Sequence, residues 1–185
     1  MIATVMSVSS CSGESYSATF EALLESIEAS ENRLENGLAK YETPEAELVS
    51  CLATVRPNLW LCEAELAALN SVYLQVLPDW NFTPDKAQMQ SLRMPKDKQR
   101  LSDAREAYMD HLDSWSEYLE DKYLALPGTL IEAEAAMQAA GWLQVVFEER
   151  KVISETFKDA CSALGDAQPA NSDEFRKRIV DVCDD

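Results

Sequence analysis

The fold is indicated first by residues 44–77, PEAELVSCLATVRPNLWLCEAELAALNSVYLQVL, in which apolar side chains return at alternating steps of four and three positions. This spacing places a single apolar stripe along a helix. The stripe consists of Leu48, Leu52, Val55, Leu59, Cys62, Leu66, Leu69, Tyr73 and Val76. Pro57 interrupts it, and a proline inside a helix removes a backbone hydrogen bond and clashes with the preceding turn. Because the stripe keeps its register on both sides, we predict one helix kinked near Pro57, with two coaxial helices as the alternative.

The same periodicity recurs elsewhere and predicts three more long helices, over about 17–41, 99–126 and 130–164. Shorter helices are expected near 84–94 and 172–183, where the apolar pattern is brief.

Turn and capping residues separate these segments. Thr43-Pro44 is typical of an N-cap followed by a first-turn proline, so it predicts the start of the second helix. Pro127-Gly128 ends the third helix, Thr129 to Glu132 forms a capping box for the fourth, and Gly165 is expected to close that helix.

The segments together predict an all-α protein, an elongated antiparallel bundle of four long helices. The short turns at Glu42-Thr43 and Pro127-Gly128 force the first and second helices, and the third and fourth, to run in opposite directions. We assign residues 16–185 to this single domain and residues 1–15 to a flexible N-terminal tail.

The charge balance narrows the range of partners. The chain has 16 Lys and Arg residues against 33 Asp and Glu residues, a formal net charge of −17. Such a surface repels phosphate backbones and anionic lipid headgroups, so we expect no direct binding to nucleic acid. No apolar run approaches the roughly 18 residues that a membrane span needs, so no membrane insertion is expected. Basic proteins remain compatible partners, and solubility alone could also explain the charge.

The five cysteines are odd in number and include no CxxC spacing. This is not the pattern of a disulfide framework, so we expect reduced thiols, with Cys62 as a small core residue. A cytoplasmic location follows from that expectation. The alternative is export as a lipoprotein, because Val8-Ser9-Ser10-Cys11 resembles a lipoprotein cleavage site. The absence of Lys or Arg before it and the short apolar stretch disfavour that alternative.

The sequence offers little catalytic or metal-binding chemistry. Its only histidine, His111, lacks the glutamate three positions earlier that a di-metal bundle uses, and we expect it on the surface. No glycine-rich phosphate loop or EF-hand pattern occurs. We therefore predict no catalytic, cofactor or metal site. Glu31 and Arg150 interrupt apolar stripes, and they either pair across the bundle or reach water near its ends.

A partner-binding patch is predicted in the irregular connection between the second and third long helices. It combines two aromatic residues with a basic segment: Trp80, Phe82, Arg93, Lys96, Lys98 and Arg100. Aromatic and arginine side chains dominate interface hot spots. The alternative is that the aromatic rings fold back onto the bundle while the cations neutralise its acidic helices.

These observations favour a non-enzymatic protein–protein interaction or scaffolding module, whose partner is another protein or a second copy of the chain. One alternative is an acidic decoy for a basic nucleic-acid-binding protein, which would expose carboxylates in a regular double row. The other is a ligand-binding or enzymatic bundle, which would enclose a cavity with convergent polar groups.

Overall fold

The computed structural model describes residues 15–54, 62–76, 78–94, 99–119, 136–170 and 172–183, without the side chains of 136–140, 142–143 and 146–147. Within these ranges the chain forms six helices and no strand. They are α1 (Tyr16–Thr54), α2 (Glu63–Val76), α3 (Thr83–Ser91), α4 (Gln99–Tyr118), α5 (Ala136–Ala167) and α6 (Asp173–Cys183). The all-α prediction is confirmed.

Helix α1 differs most from the prediction, because it continues through Pro44 where the second helix was expected to begin. Its 39 residues span about 58 Å at 1.5 Å per residue. The buried side chains of Tyr41, Glu45 and Leu48 lie on both sides of the proline and face the same core. Their packing offsets the backbone hydrogen bond that the proline removes. Pro57 itself lies outside the described residues, but the prediction of one kinked helix over 44–77, or of two coaxial helices, is wrong. Residues 44–54 belong to α1, and α2 runs back antiparallel to it.

The other helix ends agree with the sequence in part. Helix α5 runs past Gly165 to Ala167, so the prediction that Gly165 ends it is wrong. Ala167 is buried, and the Tyr16 hydroxyl donates a hydrogen bond to its carbonyl oxygen, which stabilises one more turn. The predicted boundaries near 126 and 130, with their turn and capping box, lie outside the described ranges, as does the predicted tail up to residue 14.

Contacts between side chains establish the helix directions. Pairs of α4 and α5 residues run in opposite order: Arg100 with Asp166, His111 with Thr156 and Tyr118 with Arg150. Helices α1 and α5 are antiparallel for the same reason, with Tyr16 near Ala167 and Glu45 near Arg150. Helix α2 turns back along α1, since Cys62 bonds to Cys51 while Trp80, just beyond α2, reaches Leu34.

The core is built along α1, which α2, α4 and α5 flank. The shorter helices cover its remaining sides: α3 contacts α1 and α4, and α6 packs its buried Phe175 edge-on against Phe20 of α1, with ring centroids 5.1 Å apart. The largest fully buried side chains are Tyr41, Tyr108, Phe20, Phe82, Leu23, Leu24, Ile27, Leu48, Leu69, Met89 and Leu101.

Two disulfide bonds join neighbouring helices. Cys51 of α1 is bonded to Cys62, which precedes α2, and Cys161 of α5 is bonded to Cys183 of α6. The Cα–Cα distances are 5.8 and 5.9 Å, within the usual range. The expectation of reduced thiols is therefore wrong for these four residues, because chain reversals bring together cysteines whose sequence spacing carries no recognisable motif.

Candidate functional site

The two aromatic residues of the predicted partner site lie inside the bundle. Trp80 is 3% exposed and Phe82 is 1% exposed. The Trp80 indole stacks on Tyr41 with centroids 5.1 Å apart, and its Nε1 donates to the Leu34 carbonyl over 3.4 Å. The expectation that these rings form an exposed hot spot is wrong, because the α2–α3 connection folds back and buries both against the core.

The basic part of that predicted site is only partly described. Arg93 follows α3 and is exposed, and Arg100 lies in the first turn of α4, where its Nη1 donates to the Asp166 carbonyl over 3.4 Å. Lys96 and Lys98 lie outside the described residues. A docking role for this segment stays a prediction.

Several other cationic side chains are paired with the chain's own carboxylates. Lys86 contacts Asp113, and Arg178 binds both carboxylate oxygens of Glu28 at 2.7 and 2.6 Å. The hydrogen bond to Glu28 raises the pKa of Arg178 above its usual value and outweighs burial, which acts in the opposite direction. These contacts agree with the interpretation that the cations neutralise acidic helices.

A buried polar cluster links α1, α4 and α5. The Tyr108 hydroxyl donates to Glu31 Oε1 over 2.7 Å. His111 is 2% exposed, so the expectation of a surface histidine is wrong. The Thr156 hydroxyl donates to the Ile153 carbonyl and so accepts from His111 Nδ1 at 3.0 Å. This assignment turns His111 Nε2 toward Glu31 Oε1, 3.5 Å away.

The hydrogen bonds of this cluster connect α4 to α1 and to α5. Burial raises the pKa of Tyr108 well above its usual value, and the neighbouring Glu31 carboxylate raises it further. Tyr108 therefore remains a neutral donor to the carboxylate. Helix α4 brings Tyr108 to Glu31 of α1 and His111 to Thr156 of α5, whereas the buried His111 Nε2 has no hydrogen-bond partner among the described residues.

Arg150 has a separate partner, so the predicted pairing of Arg150 with Glu31 is wrong. Its guanidinium binds Glu45 in a bidentate manner at 2.7 and 3.2 Å, and its Nε lies 3.3 Å from the Tyr118 hydroxyl. The expectation that the interrupting charges reach water also fails for Glu31, which is buried. Glu31 of α1 is bonded to Tyr108 of α4, and Arg150 of α5 is bonded to Glu45 of α1. The two charges are therefore paired separately, at different heights along the bundle.

Two open clefts lie beside these groups. One, of about 480 Å³, is lined mainly by Leu38, Ala39, Ala46 and Val49 next to the Glu45–Arg150 pair. The other, of about 740 Å³, lies at the bundle end where Arg100 and Asp166 both contribute, so its lining carries both signs of charge. Neither cleft is lined by Glu31, Tyr108 or His111.

The outer surface of α4 and α5 carries two rows of exposed carboxylates, which we call the acidic face. The α4 row advances by steps of three and four, and consists of Asp103, Glu106, Asp110, Asp113 and Glu117. The α5 row consists of Glu148, Glu155, Asp159 and Asp166. Helical spacing keeps each row on one side of its helix.

Both rows flank the same seam between the helices. On α4, His111 and Tyr118 face α5. At 3.6 residues per turn, Asp103, Asp110 and Glu117 lie about a quarter of a turn from that side, in the direction away from the core. On α5, Thr156 faces α4, and its row lies about a quarter of a turn beyond, again on the side away from the core. Asp103, Asp110, Glu117 and the α5 row therefore border one outer groove. Glu106 and Asp113 lie farther round α4, where Asp113 meets Lys86 of α3.

Few cations neutralise this face in the part of the chain that the structure describes. Lys86 pairs with Asp113, and Arg105 lies 3.9 Å from Glu106. Lys151 and Lys158 are exposed on the far side of the α5 row. Arg100 also reaches the Asp166 carbonyl, so nine carboxylates meet five cationic side chains and the face remains negative. The three- and four-residue spacing of the acids was visible in the sequence; their shared seam required the pairing of α4 with α5.

Comparisons with known proteins find no matching family model, no similar curated protein and no similar solved structure. Of the helices described, none combines the length and apolarity needed to cross a membrane. No group of three or more His, Cys, Asp or Glu side chains within the described ranges is arranged to hold a metal ion.

Proposed function

We propose that this chain is a protein-interaction module that binds a basic polypeptide on the acidic face. The observation that carries the proposal is the double row of exposed carboxylates along the seam between α4 and α5. The sequence also predicted an interaction role, but assigned it to the basic segment; here the binding surface is the acidic face.

Electrostatics favours this partner class. A face lined by one sign of charge raises the local concentration of oppositely charged ligands and speeds their association. It also repels the phosphates of nucleic acids. The acidic-decoy hypothesis is the narrower form of the same proposal, since it expects two carboxylate rows and a partner that itself binds nucleic acid.

The buried cluster supports an interaction role over an enzymatic one. Glu31, Tyr108 and His111 are the groups most suited to acid–base chemistry, yet all three are buried, Tyr108 bonds to Glu31, and His111 bonds to Thr156. General acid–base catalysis needs such groups within hydrogen-bond reach of a substrate. Their role in this proposal is to hold α4 and α5 in register so that the two carboxylate rows stay aligned.

The two disulfides favour an oxidising compartment over the cytoplasm that the sequence predicts. Structural disulfides persist outside the cytosol, where thiols are not kept reduced. We therefore place the proposed binding event in an oxidising compartment, and we expect the purified native protein to contain four oxidised cysteines.

The test measures binding of a fluorescent 20-residue peptide rich in Lys and Arg, by anisotropy over a range of salt concentrations. We expect the triple variant Asp103→Lys, Asp110→Lys and Glu117→Lys to bind at least about tenfold more weakly than the native chain.

The matched control reverses three exposed charges elsewhere: Glu25→Lys, Glu47→Lys and Asp181→Lys. The two variants have the same net charge, so the control should lose less than about threefold. Equal losses would mean that net charge alone attracts the peptide, and the acidic face would then have no specific role.

A further inference from the structure

We propose that the partner segment is an amphipathic basic helix, which lies along the α4–α5 seam and places apolar side chains on Val152 and Val145. This inference rests on the proposed function and specifies the ligand of the same acidic face. It differs from simple charge attraction because it requires a defined shape and an apolar contact.

The middle of the seam between the carboxylate rows is lined by small uncharged side chains, and Arg100 reaches across the seam at the end near Asp166. Ala107 and Ser114 of α4 and Thr156 and Ala163 of α5 are half-buried along it. Short side chains at these positions leave a groove between two adjacent helices, and a third helix can place its ridge of side chains in such a groove. The seam therefore offers a helix a site with acids on both sides.

Two exposed valines lie on the seam side of α5. Val152 is 60% exposed and Val145 is 41% exposed, and their seven-residue spacing puts them on one face, two turns apart. The antiparallel pairing of His111 with Thr156 places Val152 level with the region of Ser114. Val152 therefore lies between the two rows, and Val145 lies on the same face beyond their ends. An apolar anchor flanked by charge is the arrangement by which an amphipathic helix binds a groove.

The spacing of the carboxylates matches a helix better than an extended chain. Asp103, Asp110 and Glu117 repeat every seven residues, or about 10.5 Å along α4. A partner helix lying along the seam repeats its side chains at that same interval. An extended strand repeats same-side residues every 6.6–6.8 Å or so, and thus drifts out of step with the carboxylates.

The expected ligand can be written as a residue pattern. Apolar residues at positions i and i+7 would meet Val152 and Val145, and Lys or Arg three and four positions from each would reach the carboxylate rows. The α4 row from Asp103 to Glu117 extends about 21 Å and Val145 lies about 7 Å beyond its end, so roughly five to six turns of partner helix would cover both.

The test compares two synthetic peptides of identical composition and charge, titrated calorimetrically near physiological salt. One follows the pattern above, and the other has the same residues in scrambled order. We expect the patterned peptide to bind about tenfold more tightly and to gain helical circular dichroism on binding. Val152→Asp should remove this preference although it makes the face more acidic. Val49→Asp, at a valine 39% exposed on α1, is the control and should leave the preference intact.

The outcomes separate this inference from the function beneath it. The helical ligand is excluded if both peptides bind with equal affinity, gain no helicity, and lose no affinity through Val152→Asp. The acidic face would then still bind a basic partner. If neither peptide binds, and charge reversal on α4 changes nothing, the proposed function itself is overturned.

Discussion

Gly37 lies directly against the Trp80 indole, and the contact leaves no room for a side chain. A Cβ atom at this position would lie 2.2 Å from Trp80 Nε1 and 2.5 Å from Cε2. By helix propensity alone, this glycine would only weaken α1. Its actual role is to admit the ring that closes the α2–α3 connection onto α1.

We expect Gly37→Ala to destabilise the fold by about 1–3 kcal/mol, because the ring must move away from Tyr41 and Leu34. Gly141→Ala and Gly165→Ala are matched controls, since a Cβ at either position meets nothing within 4 Å. Both lie in α5, and each should raise stability by up to about 1 kcal/mol through helix propensity. Urea unfolding measures all three; a Gly37→Ala protein as stable as these controls would contradict the packing.

Tyr108 gives the fold a predictable response to alkali. Burial raises the pKa of Tyr108 above its usual value, so the folded chain holds this proton at pH values where the unfolded chain has lost it. Its contribution is complete below pH 10 or so and falls as pH rises further. Burial also raises the pKa of Tyr16, Tyr41 and Tyr73, which adds to the same trend.

We expect Tyr108→Phe to lose about 1–3 kcal/mol near neutral pH, because Glu31 loses its buried donor. Above pH 10 or so, the difference from the native chain should shrink, since the native tyrosine no longer keeps its advantage. Denaturant titrations across this pH range provide the measurement. A constant difference at every pH would show that the hydroxyl proton does not contribute.

For single residues, the sequence showed which polar positions interrupt the apolar stripes, but not which side chains they contact in the fold. Glu31 was recognisable as a polar residue in an apolar stripe, yet Tyr108 and His111 lie about 80 positions away. His111 follows Tyr108 by three positions, the same phase as the stripe, and that spacing could have predicted its burial. The pairing of Arg150 with Glu45 depends on helix register, which apolar periodicity does not specify.

Helices were the best predicted elements, because apolar spacing reports them directly. Helices α3, α4 and α6 begin within one residue of their predicted first positions. The failures at Pro44 and Gly165 share a cause: local breaking signals are worth a few kcal/mol or less, and burial of neighbouring side chains outweighs them. Disulfide pairing depends on which helices are neighbours, so spacing alone could not supply it.

Helix α6 is the element most dependent on its covalent bond. It has 11 residues and buries only Phe175 and Ile179, which is little for a helix of marginal length. The Cys161–Cys183 bond and the Arg178–Glu28 pair hold it against α5 and α1. The bond closes a loop of 22 residues, for which the loop-entropy estimate is about 3 kcal/mol.

We expect the paired substitution Cys161→Ala and Cys183→Ala to accelerate amide hydrogen exchange throughout α6 while α2 stays protected. Cys51→Ala with Cys62→Ala is the matched control, and it should loosen the junction of α1 and α2 and leave α6 unchanged. Exchange measured by mass spectrometry resolves the two ends. Unchanged protection of α6 without its bond would mean that packing alone secures it.

Charge is the property that acts on the molecule as a whole. The chain carries a formal −17, and its described cations largely lie beside its own acids. The remaining excess on the acidic face places like charges three and four residues apart on α4, which opposes folding. The overall charge could be read from composition; its concentration on one face could not, because that depends on which sides of α4 and α5 meet.

Removal of charge from a surface that serves binding should raise the stability of the fold, whereas removal from a surface that serves folding should lower it. Asp110→Asn with Glu117→Gln relieves three like-charge contacts, with Glu106 and Asp113, at about 0.2–0.5 kcal/mol each. We therefore expect this variant to be about 1 kcal/mol more stable in low salt, with the gain shrinking as salt is added. It should also bind the basic peptide more weakly. If thermal and urea unfolding instead show a less stable protein, the carboxylate row belongs to the electrostatics of the fold, and its weaker binding would no longer identify a docking surface.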